Sequence, residues 1–539
     1  MLARLPIVAP STLRRAVLAG LFIAGLGAPA GHAAEVVLRL KDGGFEIQGT
    51  LAAFDGRTYR IETDAYGTLS LEAARFDCAG ADCTQQQGAR ASTLPAAKGA
   101  DPGFSMHGSK SIGTELMPAL IRAFAASTKA DLTQIAGTDP GAIAYDLRSQ
   151  NGADAGRIEL QRRGSATAFQ ALEKGQASIG MSDRRIGDDE VRQLAAVAPQ
   201  IRSARHEHVL GLGGVAIVVP RESRATALSL DMIAKIFSGQ ITDWSELGLA
   251  PGRIVTYVPE QQSETFDIFD RLVLKPRRLT LAPGATIVGT AGELPEAVAQ
   301  DAAGIGIAAL ALTQPAKPLD LQTTCGLNAA PSTFALRSDE YPLLQRIYLY
   351  TTPRLEQPLA RAFLQFALSE AAQVFISAGP FVNQTLELAS PETQAARMAF
   401  AAKQPIALAD AAQMRLLASD TKGARRLSVT FRFAPSSWEL DVKSRADVLR
   451  LSRSLSGDAF RGRILLLGFT DPVGTVPINT ALSLGRATQV RAALLGASGG
   501  KLEAQRVVAR GYGALAPVAC SDTAEGLNLN RRVEVWVQG

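Results

Sequence analysis

The chain has 539 residues, of which 47% are hydrophobic and 20% are charged, and its formal net charge is +5. A chain of this length is too long for one hydrophobic core, so we expect several domains. The small positive excess, without a basic run interleaved with aromatic residues, gives no support for nucleic-acid binding.

The first 34 residues have the pattern of a secretory signal peptide. Arginines precede an apolar run at 16–26, and small residues follow up to Ala34, where we expect cleavage between Ala30 and Ala34. The apolar run is too short to cross a bilayer, and no later apolar run is long enough either. We therefore expect an exported protein without a transmembrane span.

Export makes disulfide bonds possible, and the chain has four cysteines. Cys78 and Cys83 lie close together in a segment of Gly, Ala and Asp, and we expect them to pair. Cys325 and Cys520 lie in different predicted domains, so they either form a bridge that clamps these domains together or stay free or buried thiols. No cofactor motif occurs, and the His and Cys spacings match no common metal site, so we expect neither a cofactor nor a metal.

Hydrophobic periodicity predicts a multidomain protein of α/β and α+β class. Residues 35–85 alternate short strand-like runs with Gly and Asp turns, which indicates a small β-barrel or meander. A linker at 86–103 leads to residues 104–386, where helical and strand-like runs alternate as in an α/β domain. Two Ala- and Leu-rich helical stretches at 387–424 are expected to connect this domain to a last one at 425–539.

The last domain contains an acid and a base that are expected to meet at one pocket. An apolar strand at 464–467 is followed by Gly-Phe-Thr-Asp, which ends at Asp471, and then by a helix expected to start near Asn479. Asn479 and Arg486 are about two helical turns apart, so they share one face of that helix. Such a pair can bind a zwitterion, with its carboxylate on the guanidinium and its ammonium on the carboxylate.

Three motifs in order resemble the OmpA C-terminal domain: Gly-Phe-Thr-Asp, Asn-x-x-Leu-Ser-x-x-Arg-Ala, and Asn-Arg-Arg-Val-Glu at 530–534. The resemblance implies a βαβ-type fold that binds the diaminopimelate of peptidoglycan. It also implies that Asp471 and Arg486 are the binding acid and base and that Asn479 lines the same pocket. Without it, Asp471 would be expected to cap a turn and Arg486 to be a solvated charge. One of the two arginines in the last motif is expected to hold the fold by pairing inside the domain.

Four segments of the 104–386 domain carry the pattern of a small-ligand site. Three of them place hydroxyl residues at a predicted helix start, where free N–H groups and the positive end of the helix dipole favour an anion. Each is weak evidence alone, because Ser and Thr cap helices in many proteins. The segments are 107–113, 163–167, 179–184 and 263–265.

The order of these segments resembles the periplasmic phosphate-binding proteins of ABC transporters, which have a two-lobed Venus-flytrap fold. The run Ile-Phe-Ser-Gly-Gln-Ile-Thr-Asp-Trp within 231–244 matches the family signature between the lobes, and Ala-Gly-Ile-Gly-Ile at 303–307 matches a late strand. The resemblance implies binding of phosphate or a related small anion. The implied ligand residues are Ser111, the backbone N–H of Ile112, Ser165, Asp183, Ser263 and Thr265.

Two positions depart from the phosphate-binding pattern. Pro259 stands where the family has arginine, and Glu264 stands where the family has a glycine between the serine and the threonine. A dianion therefore loses a bidentate guanidinium and gains a nearby carboxylate, unless Lys110, Arg163 or Arg184 compensates. The cleft is expected either to survive as a scaffold, to bind phosphate or a similar oxyanion, or to take another small ligand.

These features together predict a non-enzymatic, periplasmic solute-binding protein of the Gram-negative cell envelope, held to peptidoglycan by its C-terminal domain. The alternative is a structural envelope protein whose flytrap domain only docks other envelope proteins. A hydrolase acting on phosphorylated wall components finds no support, since no nucleophile–His–acid set with a recognisable spacing occurs.

Overall fold

The computed structural model describes most of the chain beyond the predicted signal peptide. The predicted signal peptide, nearly all of the predicted linker and Cys83 lie outside the described residues. The described residues are 35–40, 46–54, 58–63, 67–73, 76–79, 103–137, 139, 141–261, 263–289, 292–377, 379–403, 408–433, 439–456 and 462–538.

The first domain is an antiparallel sheet of five strands in the order β4-β3-β2-β1-β5. Its first four strands form a meander, one of the two predicted arrangements, and β5 returns to pair with β1. Val36 and Leu38 alternate along β1 and are buried with Ile61 of β3, so one face of the sheet is covered. The strands are β1 (Glu35–Leu40), β2 (Glu46–Phe54), β3 (Thr58–Thr63), β4 (Gly67–Glu72) and β5 (Phe76–Ala79).

A mixed sheet is the framework of the flytrap domain, residues 104–386. Its two central strands, β11 and β18, pair with each other, and β18 also pairs with β10 while β11 pairs with β15. The path through the sheet is β14-β13-β15-β11-β18-β10-β6-β9-β8-β7. The strands are β6 (Phe104–Gly108), β7 (Ala130–Ala136), β8 (Ile143–Ser149), β9 (Asp154–Arg162), β10 (Ile179–Ser182), β11 (Glu207–Val219), β12 (Ala227–Ser229), β13 (Val255–Pro259), β14 (Thr286–Val288), β15 (Gly304–Ala309), β16 (Lys317–Pro318), β17 (Asp320–Gln322) and β18 (Leu344–Tyr350).

Helices cover this sheet in two lobes, which confirms the predicted two-lobed α/β architecture. Lobe 1 contains β6 to β10 with α1, α2, α8 and α9. In its core, the ring centres of Phe124 and Phe363 lie 5.6 Å apart in an edge-to-face arrangement. Lobe 2 contains β12 to β17 with α4 to α7, and Phe237 and Phe269 meet at 4.9 Å in its core. The helices are α1 (Met117–Ser127), α2 (Ser165–Glu173), α3 (Asp188–Leu194), α4 (Leu230–Phe237), α5 (Glu264–Phe269), α6 (Glu293–Gln300), α7 (Thr333–Arg337), α8 (Pro358–Ala367) and α9 (Glu370–Ile376).

Within the described ranges, no single helix has the length and apolar character needed to cross a membrane. Only α8 and α9 taken together satisfy those two requirements, and they are bent by 72° relative to each other.

The segment between the flytrap domain and the C-terminal domain contains the two predicted helices, α10 (Pro391–Lys403) and α11 (Leu408–Thr421). The Oγ of Ser390 accepts the N–H of Thr393 at 3.2 Å, so Ser390 caps α10. The start of this segment is not helical, however, because Leu388 pairs in antiparallel fashion with Leu427. That backbone pairing satisfies the polar groups of an extended segment beside the next domain's sheet.

The C-terminal domain is a four-stranded sheet in the order β19-β22-β20-β21, with helices packed on it. The predicted apolar strand is β20, which is buried between a parallel neighbour and an antiparallel one. The helix expected near Asn479 starts earlier, at Val476, because Pro477 suits the first turn of a helix. The elements are β19 (Ala424–Arg432), α12 (Val442–Ser456), β20 (Arg463–Phe469), α13 (Val476–Ala497), β21 (Val507–Gly511), α14 (Ala524–Asn530) and β22 (Arg532–Gln538).

A disulfide joins the C-terminal domain to lobe 2. Cys325, in the loop after β17, is bonded to Cys520, so of the two predicted states of these cysteines the structure shows the bridge. Beside the bridge, Thr324 donates a hydrogen bond to Asp522. The two domains are therefore covalently closed into one unit by residues 195 positions apart.

Buried ion pairs extend this interface. Arg346 at the start of β18 contacts Asp339 of the flytrap domain at 2.9 Å and Asp441 of the C-terminal domain at 3.1 Å. Lys443 of the C-terminal domain lies 3.4 Å from Asp339. Asp339 and Lys443 are almost completely buried, so the charges of each domain depend on partners in the other.

The pairing of Cys78 with Cys83 stays a prediction. Cys78 lies on β5 opposite Leu38 and is disulfide-bonded, whereas Cys83 lies outside the described residues. We expect both to be oxidised, because a short segment separates the two thiols and the predicted signal peptide leads to an oxidising compartment. Non-reducing peptide mapping after alkylation should recover one peptide pair that contains both. Recovery of both as alkylated thiols would contradict the pairing, and the Cys325–Cys520 peptide is the internal control.

Candidate functional site

Asp471 lies on the loop that leads from β20 to α13 and is held from two sides. Its Oδ1 accepts the N–H of Val473 at 2.9 Å, and its Oδ2 accepts a hydrogen bond from Nη1 of Arg531 at 2.7 Å. The first contact makes the loop turn around the carboxylate. The second places a guanidinium directly beside it, so the carboxylate has a fixed orientation and a charged partner.

Arg486 belongs to the same cluster. Its guanidinium carbon lies 5.2 Å from the centre of the Phe433 ring. Burial and the neighbouring charge of Arg531 lower the pKa of Arg486, whereas the charge of Asp471 raises it. Asn479 is buried in the first turn of the same helix. The structure therefore places one guanidinium in contact with Asp471 and a second one, that of Arg486, near enough to respond to the charges of both Asp471 and Arg531.

The two consecutive arginines of the last motif have different roles. Arg532 is completely buried and contacts Glu534 at 2.7 Å, so it is the arginine that pairs inside the domain. Arg531 instead contacts Asp471, so it joins the candidate site, a placement that the sequence analysis did not predict. The sequence indicated only that one of the two consecutive arginines, Arg531 and Arg532, pairs inside the domain, and it did not show what the other one contacts.

In the flytrap domain, Asp183 accepts hydrogen bonds from two serine hydroxyls. Ser109 donates to Oδ2 at 2.7 Å and Ser165 donates to Oδ1 at 2.6 Å. These residues meet because β6 and β10 are parallel neighbours, whose carboxyl ends lie at the same edge of the sheet. The structure thus brings together two predicted ligand residues, Ser165 and Asp183, and adds Ser109, which the sequence analysis did not single out as a ligand residue.

Ser111 connects this cluster to lobe 2. Its Oγ lies 3.0 Å from the Oγ of Ser109 and donates to Oε2 of Glu264, the first residue of α5, at 3.1 Å. The N–H of Ile112, a predicted anion donor, is directed at the Oγ of Ser109 at 3.4 Å. The carboxyl group at the position of the family glycine therefore reaches across to the lobe 1 serines.

Glu264 is only 6% exposed. Burial raises the pKa of Glu264 well above its usual value, and the negative charge of Asp183 adds to that rise, while the hydroxyl of Ser111 opposes it. The Oε1 atom of Glu264 is buried and has no hydrogen-bond partner among the described residues. A buried carboxyl oxygen without a partner is costly, and here it lies in a cluster that already contains a second carboxylate.

The other predicted ligand residues have local roles. Ser263 accepts the N–H of Phe266 at 3.3 Å and so caps α5, and Thr265 is buried in the first turn of that helix. Arg163 lies 3.7 Å from Asp139, and Arg184 lies 2.6 Å from Glu190. Two of the three cations that could replace the missing arginine therefore have carboxylate partners of their own.

Comparison with known proteins identifies both large domains. Residues 125–371 match the family model described as a PBP superfamily domain, and residues 432–531 match the OmpA family.

Two relatives and one solved structure illustrate what the chain is similar to. Outer membrane porin F of Pseudomonas aeruginosa is 39% identical over 117 residues, which are 21% of this chain and 31% of porin F. The phosphate-binding protein PstS of Bacillus subtilis is 25% identical over 217 residues, which are 40% of this chain and 67% of PstS. A solved ABC-type phosphate transport receptor from Vibrio cholerae has 20% identity and a TM-score of 0.39, over 52% of this chain and 99% of the receptor.

The chain spans about a third of the length of the outer-membrane relatives that it matches, namely 31% of porin F and 38% of outer membrane protein A from Bordetella avium. The match to the OmpA family lies within the C-terminal domain, and the similarity to PstS is a separate match. The chain therefore joins a PBP superfamily domain to a C-terminal domain of the OmpA family.

Proposed function

We propose that this protein is a non-enzymatic, periplasmic solute-binding protein that is held non-covalently to peptidoglycan by its C-terminal domain. The cluster of Asp471, Arg486 and Arg531 carries the proposal. It lies in a domain that is disulfide-bonded to a two-lobed binding domain. A wall-held binder of this kind keeps its solute site at a fixed place in the envelope.

The wall ligand that fits the cluster is diaminopimelate. Its ammonium group would contact Asp471, and its carboxylate would lie between Arg486 and Arg531. Hydrogen bonds between charged groups contribute about 1.5–3 kcal/mol each, so a few of them suffice for reversible attachment to a polymer with many equivalent sites. Arg531 has a second role, because it orients the carboxylate of Asp471.

Replacing Asp471 by alanine should release the protein from the wall. The ammonium of diaminopimelate then lacks its carboxylate, and the loss of one charged hydrogen bond corresponds to about a tenfold or greater drop in affinity. Co-sedimentation with purified peptidoglycan measures this loss. Glu525→Ala is the matched control, because it removes an exposed acid from the same domain, and it should sediment normally. Unchanged sedimentation of a folded Asp471→Ala variant would refute the assignment.

Phosphate or a related small anion is the solute to which the resemblance points. We propose that phosphate itself binds weakly. The donor Ser111 is engaged with Glu264, and the family arginine is replaced by Pro259, which ends β13. The proposal of solute binding does not depend on phosphate being the solute.

The second candidate is a structural envelope protein whose flytrap domain is a docking scaffold for other envelope proteins. The contact between Ser111 and Glu264 favours it, because this contact joins the two lobes through their own side chains. Thermal unfolding of the full chain with candidate solutes separates the two, since a solute that binds the folded state raises its Tm. The full chain is needed because Asp339 and Arg346 would lose partners in an isolated flytrap domain.

A further inference from the structure

We propose that the cleft between the lobes takes a small ligand that carries a protonated amine, held by Asp183 and Glu264. This inference rests on the proposed solute-binding function and deepens it by naming the chemical class of the solute. It reverses the charge of the ligand that the resemblance implies.

The first argument is the number of hydrogen-bond donors in the cleft. A serine hydroxyl has one hydrogen to donate. The hydroxyls of Ser109 and Ser165 donate to Asp183, and among the described residues the acceptors within reach of the Ser111 hydroxyl are Ser109 and Glu264. The N–H of Ile112 is directed at Ser109. An anion could use these donors only by breaking their bonds to the carboxyl groups.

The second argument is the number of acceptors that stay open. The carboxyl group of Glu264 accepts one hydrogen bond, from Ser111, and its Oε1 is buried without a partner among the described residues. A bound cation favours the ionised form of this group, which can accept about four hydrogen bonds. Gly213 of β11 lies directly against Oε1, since a Cβ there would lie 2.5 Å from this atom, so the carboxyl group fits here only because the residue is glycine. A ligand that enters here has to donate hydrogen bonds, and an ammonium group has three to donate.

The third argument is charge. Asp183, Glu115 and Asp267 all act on Glu264 as neighbouring negative charges. Asp267 has a cation nearby, Arg271 at 3.8 Å, whereas none of the ion pairs found among the described residues involves Asp183 or Glu264. A cation between these two carboxyl groups would favour their ionised forms, whereas a dianion would oppose them. The engaged donors, the open acceptors and the negative charges in the cleft thus all favour a ligand that is a cation and donates hydrogen bonds.

Calorimetric titration of the full chain with putrescine, tetramethylammonium and inorganic phosphate tests the inference. We expect putrescine to bind, because it offers charged N–H donors. Tetramethylammonium is also cationic but lacks N–H groups, and we expect it to bind at least tenfold more weakly. Phosphate should likewise bind more weakly than putrescine.

Variants test whether putrescine binds at Glu264. Glu264→Gln keeps an oxygen for Ser111 but cannot ionise beside a bound cation, and it should weaken putrescine at least tenfold. Gly213→Ala places a Cβ against Oε1 and should also weaken it, which keeps the test available if Glu264→Gln is poorly folded. Asp231→Asn is the matched control, because it neutralises an exposed acid of lobe 2 that pairs with Arg277, and it should change nothing.

Each outcome has one meaning. Tighter binding of phosphate than of putrescine overturns the ligand class but leaves solute binding intact. Binding of none of the three probes overturns the inference and favours the docking scaffold. Putrescine binding that Glu264→Gln and Gly213→Ala leave unchanged overturns the location. Co-sedimentation with peptidoglycan reports on the wall attachment separately, so its failure is distinguishable from all of these.

Discussion

The Asp339→Ala variant is expected to lose about 3–5 kcal/mol of its free energy of unfolding, because it breaks a buried ion pair. Asp339 is 5% exposed and lies between Arg346 at 2.9 Å and Lys443 at 3.4 Å. Its removal leaves Arg346 and Lys443 in the domain interface with one negative charge fewer beside them. Lys443 still contacts Asp447, and Arg346 still contacts Asp441, so the domain need not unfold completely.

Urea unfolding followed by circular dichroism measures this loss as a shift in midpoint. Asp188→Ala is the matched control, because Asp188 is 77% exposed and pairs with Arg202 on the surface. The control should lose no more than about 1 kcal/mol. Equal midpoints for the two variants would show that the interface does not depend on Asp339.

The effect of Asp339 should also depend on pH. Burial by itself would raise the pKa of Asp339, but Arg346, Lys443 and Arg432 outweigh it and lower the pKa to about 2. The stabilisation is therefore complete above the unfolded-state pKa of about 3.9 and is lost as the pH falls through about 2. The difference in stability between the unmodified protein and Asp339→Ala should shrink over this range.

Phosphate should bind the full chain at least roughly a hundredfold more weakly than it binds members of the family that keep the arginine and the glycine. Each lost hydrogen bond to a charged group is worth about 1.5–3 kcal/mol, and about 1.4 kcal/mol corresponds to a factor of ten. The structure adds that Glu264 points inward and engages Ser111 at 3.1 Å. Calorimetry on the unmodified protein measures the affinity, and a submicromolar value would contradict this expectation.

Restoring the two family residues should strengthen phosphate binding. Glu264→Gly frees the hydroxyl of Ser111 and removes a carboxyl group, and Pro259→Arg supplies a guanidinium at the end of β13. We expect the double variant to bind phosphate more tightly than either single variant does. A double variant no better than the unmodified protein would mean that these positions do not control anion affinity.

Local patterns in the sequence were enough to predict the domain types and the strands, loops and helices that surround each site. The strand, loop and helix around Asp471 and Arg486 follow from hydrophobic periodicity, because these residues are close in sequence and regular geometry relates them. The same holds for Ser390, which caps its own helix. Residues 387–389 are the exception, since they extend along β19, and that backbone pairing comes from a separate segment.

Contacts between distant residues were decided only by the tertiary structure. The side-chain direction of Glu264, outward to water or inward to Ser111, depends on how the two lobes meet, and these residues are 153 positions apart. The pairing of Arg531 with Asp471, rather than that of Arg532, depends on where the end of α14 lies relative to β20. The bridge between Cys325 and Cys520 depends on the packing of two domains. Propensity and periodicity act over a few residues, so they carry no information on which of several equivalent side chains meet across a fold.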